Sequence, residues 1–279
     1  MQVLNTIAAM RAALRDARGH HPQIGLVPTM GALHAGHLSL VRRAREECGI
    51  VAASLFVNPT QFGPHEDFDR YPRQLAQDTA LFESAGVDLV FAPSVEEMYP
   101  PGATTYIDVG DLGSRLDGVH RPGHFRGVAT VVAKLFHIIQ PDRAYFGQKD
   151  AVQVAVLRRM VLDLNFPVEL IACPIIRDPD GLALSSRNAY LSPEERSRAL
   201  ILPRTLDAMR QAIATQTKDR ATVLQIGLNI LSDEPSVALE YLEIVAPSTL
   251  VPVDTIAPGT LIAIAAKVGK TRLIDNFLA

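Results

Sequence analysis

The run Ile50-Val-Ala-Ala-Ser-Leu-Phe-Val57 carries no charge and no polar–apolar alternation, and the turn pair Asn58-Pro59 closes it. A strand with one wet face alternates. A strand covered on both faces reads as an uninterrupted apolar run, the mark of a parallel sheet between helical layers. The same unit recurs along the chain. Residues 24–27 form a short apolar run ended by Pro28, and residues 87–92, 144–146 and 168–176 are further strand-length runs. Segments of helical period lie between them: 38–48 with Leu38, Val41, Ala44 and Cys48 on one face, 74–85, 125–139 and 151–164. Near the start, Asn5 is placed to cap a helix bearing Ile7, Met10, Leu14 and Ala17 on one face. This alternation predicts an α/β, doubly wound parallel sheet that binds its ligand at the carboxyl ends of the strands.

The pattern changes at Asp178-Pro-Asp-Gly181, a strong turn signal. Ser192-Pro-Glu-Glu195 then supplies an N-cap, a proline at the first helical position and a capping-box glutamate. Helical period continues through Ala199, Leu202, Leu206, Met209 and Ile213, with Pro203 expected to kink that helix. A helix over 221–231 and strands over 237–245, 261–268 and 272–275 complete a smaller α+β domain. The expected division is therefore 1–176 for a nucleotide-binding domain and 177–279 for a second domain.

A chain of 279 residues holds one large domain or two ordinary ones. Its net charge of −3 argues against a polyanion-binding surface, so no nucleic-acid partner is expected. Cys48 and Cys173 lie in apolar surroundings without metal or redox spacing and read as buried thiols of a reducing compartment. With no signal-peptide pattern and no run of membrane-spanning length, the expected location is cytoplasmic, without a membrane partner.

The strand exits should carry the chemistry. After the run 24–27 comes Pro28-Thr-Met-Gly-Ala-Leu-His-Ala-Gly-His37. A glycine-bearing loop feeding a helix N-terminus aims backbone N–H groups and the positive helix end at an anion. His34 and His37, three residues apart, can turn both rings to one spot. The segment lacks H-E-x-x-H, a P-loop and G-x-G-x-x-G, so zinc and the commonest phosphate fingerprints are disfavoured. His-x-Gly-His after a strand resembles instead the signature of the nucleotidylyl-transferase superfamily.

Other exits are less distinctive alone. In Phe146-Gly-Gln-Lys149-Asp150-Ala-Val-Gln153, Lys149 suits phosphate oxygens, Gly147 close backbone approach and Gln153 a substrate hydroxyl. A solvated Lys-Asp pair capping a helix explains that block equally well. Ser185, Ser186 and Arg187 in Leu184-Ser-Ser-Arg-Asn188 suit the outer phosphates of a triphosphate, or form an ordinary polar loop. In Phe56-Val-Asn58-Pro-Thr-Gln61-Phe62-Gly63, Gln61 suits a small polar substrate, while Asn58-Pro59 reads as a structural turn. Arg121 and Arg126 in the segment 121–127 offer two cations for a carboxylate or phosphate, or simply shape their loop.

Taken in order, these blocks, together with Tyr71-Pro-Arg73, resemble the pantothenate synthetase family, the AMP-forming pantoate–β-alanine ligases, over essentially the whole chain. The resemblance implies a Rossmann-like N-terminal domain, a C-terminal lid domain and a homodimer. It implies ATP-dependent condensation of pantoate with β-alanine through a pantoyl-adenylate, releasing AMP and pyrophosphate. Met30, His34, His37, Gly147, Lys149, Asp150, Ile176, Leu184, Ser185, Ser186 and Arg187 would line the ATP site. Gln61 and Gln153 would hold pantoate, with Gln61 also near β-alanine. His37, His34 and Lys149 would act on the reacting phosphate, His37 as the acid. Leu184 stands where some members carry Met. Mg²⁺ is expected mainly on the phosphates, Asp78 and Asp150 being weak ligands, so no protein-held metal is expected. A nucleotidylyl transferase that keeps the nucleotide in its product, and a nucleotide-sensing module, are the competing readings.

Overall fold

The computed structural model describes residues 1–19, 23–64 and 66–279. They separate into two compact units. The first comprises Met1–Ser114, Arg121–Gly147 and Val156–Cys173; the second comprises Arg115–His120, Gln148–Ala155 and Pro174–Ala279. The division is thus interleaved along the chain, whereas a sequence pattern naturally suggests one cut near residue 177.

In the first unit, strands β1 (Gln2–Leu4), β2 (Ile24–Thr29), β3 (Ile50–Leu55), β4 (Leu89–Phe91), β5 (Arg143–Gly147) and β6 (Glu169–Cys173) form one sheet in the order β1-β4-β3-β2-β5-β6. Every pairing is parallel. Strand order reverses between β2 and β5, the place where a doubly wound sheet opens a crevice at its carboxyl edge. Helices α1 (Ile7–Arg18), α2 (Ala35–Glu47) and α3 (Leu75–Ser84) and the helix His124–Ile139 provide the apolar layers. Val27, Val41, Ala44, Val51, Phe82 and Val90, all fully buried, join α2, α3 and the central strands in one cluster. Both cysteines belong to this core.

Several local readings change. Thr6, not Asn5, caps α1, accepting a hydrogen bond from the N–H of Ala9. β1 carries no sequence signal, because its three mostly exposed residues form no apolar run. Pro28 does not stop β2: it pairs with Ser54 of β3, whereas the β5 ladder is registered only at Gly25 and Leu26. A residue without an N–H is tolerated where one neighbour has already departed.

The second unit is built on an antiparallel sheet of β7 (Val237–Val245), β8 (Leu261–Val268) and β9 (Thr271–Leu278), in that order. Leu202, Leu206, Met209, Val223, Ile262 and Ile264 form its core. Ser192 and Glu195 make the reciprocal capping box as read, with Ser192 N donating to Glu195 Oε2 at 2.9 Å. Pro203 does not kink a long helix. The chain breaks at Leu200 into Pro193–Ala199 and Ile201–Ala214, and Pro203 falls in the first turn of the second, where a missing N–H costs nothing. The register of β7 skips Glu240, and this bulge delivers its carboxylate to Arg272 Nε at 2.7 Å. Arg272 also donates to Asp117 at 2.5 Å, tying the segment Arg115–His120 into this unit.

Candidate active site

The β2 exit is held open by buried backbone chemistry. Gly31 (φ 87°) and Ala32 (φ 51°) are both left-handed, so the chain reverses sharply before α2. Asp78 of α3, only 2% exposed, accepts from the N–H groups of Ala32 (3.0 Å) and Leu33 (2.9 Å), one on each carboxylate oxygen. A Cβ on Gly31 would stand 2.8 Å from Asp78 Oδ2, so turn and carboxylate are fitted to one another. Thr29 Oγ1 donates to the carbonyl of Ser54 and accepts from Gly31 N–H, locking the loop to β3.

α2 begins at Ala35, with His34 as its N-cap and His37 at the third helical position. The two rings replace the usual Ser and Glu of a capping box. His34 Nδ1 accepts from the Gly36 N–H at 3.1 Å, and His37 Nδ1 accepts from the His34 N–H at 3.3 Å. A backbone N–H can only donate, so each Nδ1 presents a lone pair and each neutral ring carries its proton on Nε2. The ring centroids are 4.1 Å apart with planes inclined by 42°. Two Nε2–H donors of fixed tautomer thus stand at a helix N-terminus beside the sheet's switch point, suited to charge developing on a phosphate.

Gln61 lies in the same unit, with Nε2 donating to Met30 Sδ at 2.8 Å. Asn58, read from sequence as a turn residue, is the hub behind it. Only 1% exposed, Asn58 donates Nδ2 to Gln61 Oε1 (3.2 Å) and to the Gly127 carbonyl (3.1 Å), while its Oδ1 accepts from Tyr99 and Thr60. Gly127 is required here, since a Cβ would meet the Thr60 carbonyl oxygen at 2.2 Å. Arg121 does not present a loose cation: it chelates Glu66 through Nε and Nη2, both at 2.7 Å. Its Nη1 meets His124 Nε2 at 2.9 Å, which leaves His124 Nδ1–H to donate to the Gln61 carbonyl at 2.8 Å. Arg126 stacks on Tyr106. Both arginines thus have partners within the fold, as a loop-shaping role requires.

β5 ends at Gly147, where no described heavy atom lies within 4 Å of the position a Cβ would take. Lys149 and Asp150 follow in the second unit, their charges 3.7 Å apart, and half-buried Gln153 lies one turn later. Ile176 accepts the Leu184 N–H at 2.9 Å, and Ser185 caps the single 3₁₀ turn Ser186–Tyr190 by accepting from the Arg187 N–H at 3.2 Å. The structure thus gathers Met30, His34, His37, Gln61 and Gly147 in one unit. It places Lys149, Asp150, Gln153, Ile176, Leu184, Ser185, Ser186 and Arg187 in the other.

Asp78, weighed from sequence as a weak metal ligand, braces the turn: each of its oxygens accepts one backbone N–H, from Ala32 and Leu33. Among the described residues no cluster of three or more His, Cys, Asp or Glu side chains could hold a metal ion. No described helix is long and apolar enough to cross a membrane.

Comparison with known proteins gives consistent results. A family model described as pantoate-beta-alanine ligase matches residues 2–278. A pantothenate synthetase of Acidobacterium capsulatum is 57% identical, covering 100% of this chain and 97% of its own. One from Koribacter versatilis is 55% identical, with coverages of 100% and 96%. Among solved structures, a pantothenate synthetase from Thermus thermophilus superimposes with a TM-score of 0.94 at 52% identity, covering 99% of both chains. A pantoate-beta-alanine ligase from Francisella tularensis, complexed with beta-gamma ATP and beta-alanine, gives 0.82 at 35% identity, covering 100% of this chain and 97% of its own. Full-length agreement of sequence and fold, with the histidine pair at the reversal of strand order, makes this chain a member of the pantoate–β-alanine ligase family.

Proposed function

We propose that this ligase joins pantoate to β-alanine by way of a pantoyl-adenylate, with the residues gathered in each unit taking separate shares of the work. A carboxylate is a poor acyl donor because oxide would have to leave. AMP transfer supplies a leaving group that an amine can displace. The attacking carboxylate, with a reference pKa of about 4, is ionised near neutrality, so adenylation needs no general base. It needs alignment and neutralisation of charge on the α-phosphate and the departing pyrophosphate.

His34, His37 and the α2 N-terminus take the α-phosphate, with His37 as the acid. Lys149, Ser185, Ser186 and Arg187 take the outer phosphates. Met30, Gly147, Asp150, Ile176 and Leu184 complete the nucleotide contacts, while Gln61 and Gln153 hold pantoate. Mg²⁺ supplies charge neutralisation as the nucleotide's counter-ion, with Asp150 as the accessible carboxylate nearby in sequence. The observation that carries this reading is the reciprocal His34–His37 cap, which sets both ring tautomers before any ligand arrives. A homodimer, a cytoplasmic location and closure of the second unit as a lid are proposed on the family resemblance.

The test is stepwise. With ATP, Mg²⁺ and pantoate alone, one equivalent of pyrophosphate should appear per site and pantoyl-adenylate should be recoverable. Adding β-alanine should then release AMP and the amide. Pyrophosphate release that waits for β-alanine would overturn the adenylate route. A nucleotide conjugate that survives amine addition would favour the transferase reading.

A further inference from the structure

β9 carries two polar residues in succession, Asp275 and Asn276, within a stretch otherwise occupied by Leu273, Ile274, Phe277 and Leu278. Both are buried, 3% and 2% exposed. Successive strand residues point to opposite faces, so burying both requires a polar partner on each side. On one side the Asn276 carboxamide spends its Nδ2 on the carbonyls of Gln148 (3.0 Å) and Lys149 (2.9 Å), and its Oδ1 accepts from Gln148 Nε2 at 3.0 Å. All three bonds end on the single 3₁₀ turn Gln148–Asp150, which is too short to be held by its own ladder.

The Asp275 carboxylate receives Arg177 through both Nη atoms, at 2.6 and 2.9 Å. Arg177 also donates to the Gly181 carbonyl at 3.0 Å, and its backbone bridges to Ala183. That small hairpin carries the chain into residues 184–187. All these groups lie in the second unit.

We infer that the Asp275–Asn276 pair is the frame that sets the Lys149 turn and the 184–187 loop in register with one another, and that Asn276 is a positioning residue acting through Lys149. Two adjacent residues of one strand hold the two segments from the two faces, so their separation is set by the strand's own covalent geometry. This rests on the proposed reading in which Lys149 and residues 185–187 hold the triphosphate. Asn276 itself is assigned no substrate contact.

The experiment compares Asn276→Asp, Lys149→Ala and the double variant in single-turnover pyrophosphate release, with KM measured for each substrate. Asn276→Asp keeps the side-chain volume and replaces two N–H donors with an oxygen facing two carbonyls. A misplacement of order 1 Å can cost about 10²-fold in rate, and a loss of that order is expected for adenylation. KM for ATP should rise while KM for pantoate and β-alanine stay unchanged, a split that a general loss of folding would not give. The double variant should be no slower than Lys149→Ala alone, because residues acting as a unit are not additive. As pH falls and the new carboxyl is protonated, it regains one donor, and the variant should recover relative to wild type. Wild-type kinetics in Asn276→Asp, equal losses for all substrates, or additive losses in the double variant would each overturn the inference. Wild-type rates in Lys149→Ala would instead remove the reading beneath it. If Asn276→Asp does not fold, Asn276→Ser, with one hydroxyl donor in a smaller side chain, carries the same comparison.

Discussion

In the proposed reading the α2 N-terminus and the Lys149 turn share one task, presenting polar groups to an anion, and the structure holds them by different means. His34 and His37 are tied into their own neighbourhood: each ring accepts a backbone N–H no more than three residues away, and a carboxylate, that of Asp78, anchors the preceding turn. Lys149 sits on a three-residue turn whose main-chain carbonyls are held by Asn276, 127 residues further along. Short-range order is written in a motif, whereas long-range order depends on a strand pairing correctly.

The sharpest way to break this contrast is to remove one charge-stabilising group from each side. His37→Ala and Lys149→Ala should each slow adenylation by roughly 10²–10³, about 3–4 kcal/mol. They should differ in stability, since His37→Ala also strips the cap from the His34 N–H and should cost about 1 kcal/mol in denaturant unfolding. Identical melting losses in the two variants would erase the distinction, and wild-type AMP transfer in either would remove its assigned role.

Asp78→Ala tests how far the first site depends on a remote anchor. Two buried backbone N–H groups would lose a charged acceptor, and a cost of about 2–4 kcal/mol in unfolding free energy is expected. Asp78→Asn keeps one carbonyl acceptor and should recover about half of that. A neutral Asp78→Ala would show that the turn holds itself through Gly31 and Thr29.

Gln153→Ala should raise KM for pantoate by about tenfold, the equivalent of 1.4 kcal/mol, with KM for ATP unchanged. Equal losses for both substrates would count against placing Gln153 beside pantoate.

The smallest effect concerns Glu66. Burial pushes its carboxyl up, but the Arg121 guanidinium, bonded to both oxygens, outweighs that and holds it below the usual glutamate range. A carboxyl lowered on folding stabilises the native state above its unfolded pKa, and that stability is lost as pH falls through the folded value. Because the pair is partly exposed, its worth is about 1 kcal/mol or less. Glu66→Gln should therefore lower stability slightly at neutral pH and flatten the acid limb of the stability–pH curve below about pH 4. An unchanged acid limb would place the pair outside the stabilising network.

How much could be read in advance follows the same line. The parallel sheet was legible because β2 and β3 are buried on both faces and so carry unbroken apolar runs. The His-Ala-Gly-His segment was legible because its geometry is set within four residues. Asn58 reads only as a turn residue, since Asn-Pro is a common turn and nothing local reveals that its amide reaches the Gly127 carbonyl. For Arg121 and Arg126 the sequence leaves ligand binding and loop shaping both open, because nothing local reveals Glu66 and Tyr106 beside them. For Asp275 and Asn276 a signal did exist: two uncharacteristically polar residues inside an apolar strand ask for partners.

The sequence alone determined the alternation of strands and helices, the cap at Ser192, and the family, because each depends on contacts spanning a turn or on blocks read in order. Only the tertiary structure decided that Asp78 braces the turn before α2, that Arg121 pairs with Glu66, and that β9 holds the Lys149 turn. A buried polar group takes whichever partner the fold brings within about 3 Å. Residues 46 to 128 positions apart meet only once the sheets have formed.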